Sequence, residues 1–353
     1  MKPLYQSLLT LLAVFCAVAL FFAWRWSDAA GVFSSVAPVS PGLCRVIANL
    51  PGQDFEIDAA HKLVFISAGD RRHPGPSDGI YAVPLDDPTA RPVRLAGTPA
   101  NFHPDGISLF RLPSGDETLM VVDHKAGGFQ AVESFSISYD GATPKLVPQI
   151  TVAGGLLVSP NDIFAIAPNQ FYVTNDHVTK TALGRFAEQD LLWAHSDLLF
   201  FNGSYLKIAV QRLAAPDGVL VSPDGRHLYV AAAAERRLIA FTREPFLGDL
   251  TEIGSLSLPA RPGSVAMDAG GNIIVAAQPS LMKLAAFEAN PAKPSPSAVF
   301  RVHLDKGGVP QSYDTLYANE GREIGASSSA AIWNGHMVIG SALDQKLLDC
   351  PAK

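Results

Sequence analysis

The chain has 353 residues, of which 48% are hydrophobic, and this is enough to build a large core. Its net charge of −6 is small and is not concentrated in any run, which argues against a nucleic-acid partner. The 29 glycines and 27 prolines are spread along the chain, as is typical of many short strands joined by turns.

The chain begins with an apolar segment. Leu8 to Trp24 is an uncharged run of 17 residues with a basic residue on each side. This run is long for the apolar region of a signal peptide and short for a membrane-spanning helix. A retained signal-anchor and a cleaved signal peptide are both open, with a buried core helix as a third interpretation. Either leading interpretation places residues 36–353 in the secretory pathway, lumenal or extracellular, with residues 1–35 as the signal or a membrane anchor.

The cysteines predict one disulfide. Cys16 lies inside the apolar segment, which leaves Cys44 near the start of the folded part and Cys350 near its end. In an oxidising compartment we expect these two to pair. Closing a loop of this length would stabilise the fold by about 5 kcal/mol on the chain-entropy model. Two unpaired buried thiols are the alternative.

A turn followed by a short apolar run recurs six times. Successive runs are 45 to 64 residues apart, a spacing that suits a four-stranded blade with variable loops. No long amphipathic helix competes with this pattern. The sequence therefore predicts an all-β fold, a six-bladed β-propeller, after the N-terminal hydrophobic helix. The runs begin at Leu63, Leu119, Phe171, Leu228, Ile273 and Met337.

A second repeated element lies 9 to 14 residues before each run. It consists of a small or polar pair followed by an apolar stretch. The innermost strand of each propeller blade lines the central channel. If this element is that strand, its first residues from all six blades meet at the axis. The pairs are Gln53-Asp54, Asp105-Gly106, Asn161-Asp162, Asp217-Gly218, Gly263-Ser264 and Ser328-Ser329.

The polar pairs predict a cation site in the channel. Carboxylates and amides packed together repel one another unless a cation lies between them. A set of oxygen ligands without cysteine matches a hard ion, and Ca²⁺ fits better than Mg²⁺, which requires a small regular octahedron. The alternative is that these side chains only form turns at the starts of strands. Recurrence of the pattern in four repeats favours the metal.

Two local signals lie outside the repeat. Thr181–Ser196 is the best helical candidate and is interpreted as an insertion. The triplet Asn202-Gly-Ser predicts N-glycosylation on a lumenal surface loop.

Several longer motifs carry a family resemblance. They are GQDFEI with FISAG downstream, FHPDGIS, VVDH, SPNDIFAIAPNQFYVTNDH and SPDGRHLYVA. With these motifs the chain resembles the paraoxonases, a family of arylesterases and lactonases in a wider group of six-bladed propellers that includes gluconolactonase-like proteins. The resemblance runs from about Cys44 to Cys350 and matches the family's end-to-end disulfide. An uncleaved hydrophobic N-terminus is also typical of the family.

The resemblance implies two calcium ions in the central tunnel, one structural and one catalytic. The structural ion's ligands match the side chains of Asp54 and Asp162 and the backbone carbonyl of Ile107, and all three positions are intact.

The catalytic ion's ligands in the family are a Glu, two Asn and an Asp-Asn pair. They match Gln53, Asn161, Asp217 and Gly263-Ser264, so only Asn161 is kept. Gln53 removes one negative charge, Asp217 restores one, and loss of the Asp-Asn pair removes another charge and two ligands. Because calcium affinity depends on the charge and number of its ligands, we expect weaker binding there, with the Ser264 hydroxyl and water as replacement donors.

The family's catalytic histidine pair is half conserved. One histidine matches His124, and the other matches Asp105, which is interpreted either as a base or as a replacement for a missing calcium ligand. We therefore expect His124 and Asp105, with Asp176, to draw a proton from water, while calcium binds the carbonyl oxygen of an ester or lactone. A purely structural role is the alternative for His124, and it is the favoured one for His177. His103 precedes a proline and is assigned to the turn before a strand.

Two functions of different class follow. The first is a calcium-dependent hydrolase of lactones or aryl esters. The second is a non-catalytic, calcium-stabilised propeller that acts as a membrane-associated binding or scaffold protein. A strictosidine-synthase-like activity without catalytic calcium is a third. The sequence contains no Gly-x-Ser-x-Gly elbow, Gly-rich phosphate loop or zinc motif.

Overall fold

The computed structural model describes residues 2–32, 34, 37–87, 89–125, 128–141, 143–189 and 193–352. Within these residues, six antiparallel sheets of four strands each are arranged around a central tunnel. The predicted six-bladed β-propeller is therefore confirmed, and an N-terminal apolar helix precedes it. The strands are β1 (Arg45–Ala48), β2 (Asp54–Asp58), β3 (Leu63–Ala68), β4 (Gly79–Pro84), β5 (Val93–Arg94), β6 (Pro104–Arg111), β7 (Glu117–Lys125), β8 (Phe129–Ser138), β9 (Lys145–Ala153), β10 (Pro160–Ala167), β11 (Gln170–Asn175), β12 (Ser196–Phe201), β13 (Leu206–Leu213), β14 (Pro216–Val221), β15 (His227–Ala232), β16 (Arg237–Arg243), β17 (Leu250–Ser257), β18 (Arg261–Met267), β19 (Ile273–Gln278), β20 (Ser297–Leu304), β21 (Pro310–Asn319), β22 (Ser327–Trp333), β23 (His336–Ser341) and β24 (Leu347–Pro351). The helices are α1 (Lys2–Ala29), α2 (Ala182–Gln189) and α3 (Leu281–Ala289).

The innermost strand of each blade lines the tunnel. Blades 1 to 5 are β2–β5, β6–β9, β10–β13, β14–β17 and β18–β21, and blade 6 is β22–β24 with β1. The first strands of the six blades contact one another in ring order, and each begins at or beside a predicted polar pair. The second strands carry the six predicted apolar runs. These runs are continuous because the second strand is buried on both faces between adjacent blades.

The sixth blade is built from both ends of the fold. β1 pairs with β24 as the outer strand, while β22 to β24 come from the C-terminal part. The predicted disulfide joins Cys44 to Cys350 beside this pairing, across 306 residues of sequence. Arg45 Nε lies 2.8 Å from Asp349 Oδ2 at the same place. Hydrogen bonds, an ion pair and a covalent bond therefore close the ring together.

A β-bulge interrupts the inner strands of blades 2 to 6 at the polar pair. Pairing in β10, for example, shifts register between Pro160 and Ile163, and the other four strands shift at the equivalent positions. A bulge bends its strand and changes the direction of the side chains. The polar pairs therefore lie where each strand turns into the tunnel, a feature that the sequence analysis did not anticipate.

Small residues in these pairs let adjacent inner strands approach closely. A Cβ atom added to Gly106 would lie 2.4 Å from the carbonyl oxygen of Asn161 and 2.6 Å from the Cα of Asp162. A Cβ added to Gly218 would lie 2.5 Å from the carbonyl oxygen of Gly263. Glycine is thus required here by the space between blades.

Helices α2 and α3 each follow the second strand of a blade. α2 confirms the helix expected in Thr181–Ser196 over part of its length, since Ser196 begins β12 and residues 190–192 lie outside the described residues. The Glu188 carboxylate fixes α2 by accepting hydrogen bonds from the backbone N–H groups of Val178 and Thr179. α3 was not predicted; the Ser280 side chain caps its first turn.

Helix α1 projects from the propeller. Its segment Gln6–Asp28 has 23 residues and contains an 18-residue stretch with mean hydropathy 2.4, none of which is buried. At 1.5 Å per residue this segment is about 35 Å long, enough to cross a bilayer core of about 30 Å. A cleaved signal sequence near an N-terminus has the same properties, so both interpretations stay open. The helix ends against α3, where the Leu281 N–H donates to the Ala30 carbonyl at 2.9 Å.

Candidate active site at the tunnel mouth

The predicted site residues meet in three adjoining cavities. The upper cavity, of about 450 Å³, lies at the end of the tunnel where the inner strands begin. The side cavity, of about 470 Å³, opens beside it and includes His124. The lower cavity, of about 220 Å³, lies further along the tunnel and includes Ile107. Predicted residues in the wall of the upper cavity are Gln53, Asp54, Asp105, Asn161, Asp162, Asp176, Asp217, Ser264 and Ser328.

Asp54 and Asp162 separate the upper and lower cavities, since both line each of them. Asp54 Oδ2 accepts a hydrogen bond from the Ile107 N–H at 3.1 Å, and its Oδ1 accepts from the Ser264 hydroxyl at 3.0 Å. Asp162 accepts from the N–H groups of Ile163 and Val219, both at 2.8 Å. The two carboxylates are therefore held in place by backbone and hydroxyl groups of four neighbouring blades.

The charges of these two carboxylates are poorly compensated within the tunnel. Burial, followed by the negative charges of nearby acids, raises the pKa of Asp54 to about 7 and that of Asp162 well above its ordinary value. Burial and the Asp54 charge raise the pKa of Glu56 to about 8. A cation between the carboxylates would remove this cost. The oxygen donors of Asp54 and Asp162, with the Ile107 carbonyl, fit a calcium ion.

The positions expected for a second ion offer few free donors. Of this set, Gly263 has no side chain and the Ser264 hydroxyl already donates to Asp54, which leaves the side-chain oxygens of Gln53, Asn161 and Asp217. Burial raises the pKa of Asp217 to about 7. Calcium takes roughly six to eight oxygen ligands. With a single carboxylate among them and the Arg71 guanidinium in the same cavity wall, these residues do not fit a second calcium ion.

His124 and Asp105 form a direct pair. His124 Nε2 lies 2.9 Å from Asp105 Oδ2, and its Nδ1 contacts the side-chain oxygen of Gln130. Burial alone would lower the pKa of His124, but the bond to Asp105 and its negative charge raise it above its ordinary value. Burial opposes ionisation of Asp105, yet Arg71 and His124 hold its pKa below the usual range. The two expected bases therefore act as one unit.

Arg71 is a member of this site that the sequence analysis missed. Its Nη2 lies 3.2 Å and 3.1 Å from the two carboxylate oxygens of Asp105. A signal for it was present: the residues at or just after the second strand of each blade line the upper or side cavity. His124 and Asp176 were identified without extending this rule to the loop of blade 1, where Arg71 lies three residues after β3.

The remaining predicted polar residues have separate roles. His103 lies in the turn before β6, as expected, with Nδ1 2.7 Å from Asp78 Oδ2. Asp176 lines the upper and side cavities and contacts His177 Nδ1 at 2.6 Å, whereas His177 lines a neighbouring groove. Asn175 is structural, because its Oδ1 accepts hydrogen bonds from two backbone N–H groups of the preceding loop.

Asn202 lies in the turn between β12 and β13. Its Oδ1 accepts hydrogen bonds from the N–H groups of Ser204 and Tyr205, both at 3.0 Å. This turn is partly exposed, and glycosylation of Asn202 stays a prediction.

A second cluster of acidic and histidine side chains lies at the opposite end of β2 from Asp54. Ligand atoms of Asp58, His61 and Glu117 all lie within 4.8 Å of one another. Arg111 donates to both carboxylates, the Tyr139 hydroxyl lies within hydrogen-bond distance of both, and the Tyr139 ring stacks on His61 at 3.8 Å. Because Arg111 and Tyr139 already contact these oxygens, the cluster is a structural ion-pair and hydrogen-bond network between blades 1 and 2.

The fold and the site together define a six-bladed propeller with an acidic, histidine-containing cavity on its axis. The sequence signature of the arylesterase family matches residues 35–351, and the chain belongs to this family. It is 30% identical over 343 residues to human serum paraoxonase/lactonase 3, covering 93% of this chain and 94% of the relative. It is 28% identical over 317 residues to human serum paraoxonase/arylesterase 2, covering 86% and 87%.

Solved structures of more distant proteins share the fold. A gluconolactonase from Xanthomonas campestris has a TM-score of 0.54 at 17% identity, covering 87% of this chain and 89% of its own. Regucalcin, a calcium-binding protein from Agrobacterium tumefaciens, has a TM-score of 0.54 at 14% identity, covering 89% and 95%. At this identity they show the propeller architecture alone. The family supports a hydrolase of lactones or esters.

Proposed function

We propose that this protein hydrolyses lactones or aryl esters at the tunnel mouth, with the His124–Asp105 pair as the acceptor of the proton from water. The observation that carries the proposal is the 2.9 Å contact between these two side chains in the wall of a cavity large enough for a small ester. The names of the relatives at 28% and 30% identity support the same substrate classes.

The contacts suggest how the pair would work. With Gln130 accepting from Nδ1 and Asp105 facing Nε2, the arrangement corresponds to an imidazolium beside a carboxylate. After losing one proton, the pair can hold a water molecule and accept its proton as the water oxygen bonds to the carbonyl carbon. Collapse of the tetrahedral intermediate breaks the bond to the leaving oxygen, which takes this proton back. An ester gives a carboxylic acid, which ionises, and an alcohol or phenol, whereas a lactone opens to a single hydroxy acid.

Calcium dependence is part of the proposal through the lower site. Asp54, Asp162 and the Ile107 carbonyl would hold the ion, which when bound neutralises the two buried carboxylates. The inner strands of blades 1 to 3 contribute these groups. Loss of the ion is therefore expected to loosen the tunnel wall and lower activity. We do not assign a calcium ion to the substrate carbonyl, because the donors at that position do not fit a second ion.

We also propose that the protein acts in the secretory pathway or outside the cell and is held at a membrane by α1. The exposed apolar segment Gln6–Asp28 and the disulfide of Cys44 and Cys350 support this placement. Carbonate extraction of membranes from expressing cells would test it. Release of the chain, with an N-terminus beyond Asp28, would establish a cleaved signal instead.

The catalytic proposal is tested with the full chain in detergent and calcium. An aryl acetate and an aliphatic lactone are assayed with wild type, His124→Gln and a control, His303→Gln, whose histidine contacts Asp314 on the outer part of blade 5. We expect His124→Gln to lower kcat by about 100- to 10,000-fold, and the control to match wild type. Absence of turnover by the calcium-loaded wild type with both substrate classes would instead favour the non-catalytic scaffold.

A further inference from the structure

The upper cavity contains fixed positive charge where the family resemblance places a second metal ion. Arg71 contacts both oxygens of Asp105, and the negative charges of Asp105, Asp217 and Asp176 raise its pKa above the ordinary value against the effect of burial. Arg261, which is 7% exposed, lines the same cavity. A divalent cation placed here would be repelled by both guanidinium groups.

The site differs from the family pattern in both its ligands and its charges. Gln53 and Gly263-Ser264 remove negative charge and side-chain donors from the ion's position, whereas Asp217 and Asp105 add carboxylates. Arg71 and Arg261 add two guanidinium groups to the same cavity wall, and Arg71 is paired with Asp105. Fewer metal donors therefore remain, and N–H donors are present beside His124.

Arg71 is held in position by the residues beside it. Asp70 Oδ1 accepts hydrogen bonds from the N–H groups of Arg72 and His73, at 2.9 Å and 3.0 Å, which forms a tight turn. The Arg72 guanidinium donates to the carbonyls of Phe287 and Leu343 and lies 4.7 Å from the Phe287 ring. The loop after β3 is therefore anchored across the tunnel mouth to α3 and blade 6.

We propose that the Arg71 guanidinium binds the substrate's carbonyl oxygen and stabilises the oxyanion that develops there, in place of a second calcium ion. The protein then holds one calcium ion in its tunnel. This inference rests on the proposed function, since it assigns the electrophilic partner of the same reaction. Arg71 and His124 contact the same carboxylate, so the oxyanion lies near the cation while water lies near the base. The site around Arg71 is expected to bind carboxylic esters and lactones. It is also expected to bind stable anions that mimic the tetrahedral intermediate of their hydrolysis.

The first test is a metal count. Full-length protein in detergent is equilibrated with calcium, separated from free ion, and analysed by mass spectrometry for calcium per folded chain. We expect one ion in wild type and in Arg71→Met, and none in Asp162→Ala. Two ions per wild-type chain would overturn the inference.

The second test measures binding of an oxyanion analogue. Calorimetry with phenyl methylphosphonate is done on calcium-loaded wild type, Arg71→Met, Arg71→Lys and a control, Arg226→Met, whose side chain is 79% exposed in a turn of blade 4. We expect at least tenfold weaker binding for Arg71→Met, partial recovery for Arg71→Lys, and no change for the control. Equal binding by Arg71→Met and wild type would contradict the assignment.

The third test is kinetic. Removing a donor to a developing oxyanion typically lowers kcat by about 100- to 1,000-fold, so Arg71→Met is expected to lose kcat more than it raises KM. A kcat within threefold of wild type would overturn the inference while leaving the proposed function intact. If wild type itself has no turnover, the proposed function fails, and the metal count and phosphonate binding still decide the role of Arg71.

Discussion

At the scale of single residues, the site contains two kinds of carboxylate, which differ in their partners. Asp54 and Asp162 are fixed by backbone N–H groups and face a place where a cation is favoured. Asp105, further toward the tunnel mouth, is already paired with Arg71 and His124. Carboxylates of adjacent inner strands therefore have different partners, and we expect their removal to have different consequences.

The first prediction compares Asn161 with Asp162. Asp162→Ala is expected to abolish the rise in Tm that calcium gives the wild type, because one of the two carboxylate ligands is lost. Asn161→Ala is expected to remove most activity but keep this rise, because Asn161 lines the substrate cavities and not the lower cavity. Thermal unfolding with and without calcium measures both effects. Equal loss of the calcium response in the two variants would contradict the assignment.

The second prediction concerns the pH dependence of activity. The deprotonated pair is the active form, and Asp105 raises the pKa of His124 above its ordinary 6.5, so kcat/KM should rise with pH through a midpoint above 6.5. The hydrogen bond that His124 Nδ1 donates to the Gln130 side-chain oxygen also raises this pKa. Gln130→Ala should therefore move the midpoint to lower pH, whereas Gln149→Ala, on the outer strand β9, should leave it in place. A midpoint that does not move in Gln130→Ala would show that His124 is not the titrating group.

At the scale of the element, the inner strand is the unit that brings ligands to the axis. Its bulge turns the polar pair into the tunnel, and glycine in the pair leaves room for the next blade. Hydroxyl groups then link blades directly: Thr174 donates to the carbonyl of Asp217 at 2.7 Å, and Ser328 donates to that of Gln53 at 2.7 Å. The tunnel wall is thus a hydrogen-bonded ring that supports the carboxylates.

The third prediction tests this close packing. Gly106→Ala should lower the free energy of unfolding by about 1–3 kcal/mol, since its Cβ would overlap backbone atoms of blade 3 that cannot move independently. It should also weaken calcium binding, because the overlap displaces Asp162. Gly155→Ala is the matched control, since a Cβ there would have no atom within 4 Å. Denaturant titration of the three proteins measures the effect, and equal stability of the two variants would contradict it.

The sequence was sufficient for the elements but not for all contacts between them. The apolar runs from Leu63 to Met337 located the second strands, because burial on both faces leaves a local pattern. The polar pairs located the inner strands, because a small or polar pair recurs at the start of each one. The bulges and the helix α3 have weak local patterns and were missed. Arg71 was missed because its partners are brought near it by the ring and not by sequence spacing.

At the scale of the whole molecule, pH acts on the carboxylates that we propose as calcium ligands. Without the ion, burial holds the pKa of Asp54 at about 7 and that of Asp162 well above the ordinary value of 3.8. The folded state then binds protons more tightly than the unfolded state. Its stability is expected to fall as pH rises from about 4 through the raised pKa values, of which that of Glu56 is about 8.

The fourth prediction follows from this sign. The gap in Tm between calcium-loaded and resin-stripped protein should widen from pH 5 to pH 8, because the ion favours the ionised carboxylates that destabilise the stripped protein. Calorimetric scans of the full chain at four pH values would measure the gap. If this difference in Tm narrows between pH 5 and pH 8, the buried acids of the tunnel do not share a bound calcium ion.

Blade 6 has a consequence for how the protein is made. Its outer strand emerges from the ribosome with the first part of the propeller and its other strands with the last, so the ring cannot close until translation has passed Cys350. Until then the apolar flanks of the first and fifth blades face no neighbour and are natural targets for chaperones. A truncated chain lacks Cys350, so an oxidoreductase cannot form the disulfide with Cys44. The disulfide therefore distinguishes complete chains from incomplete ones.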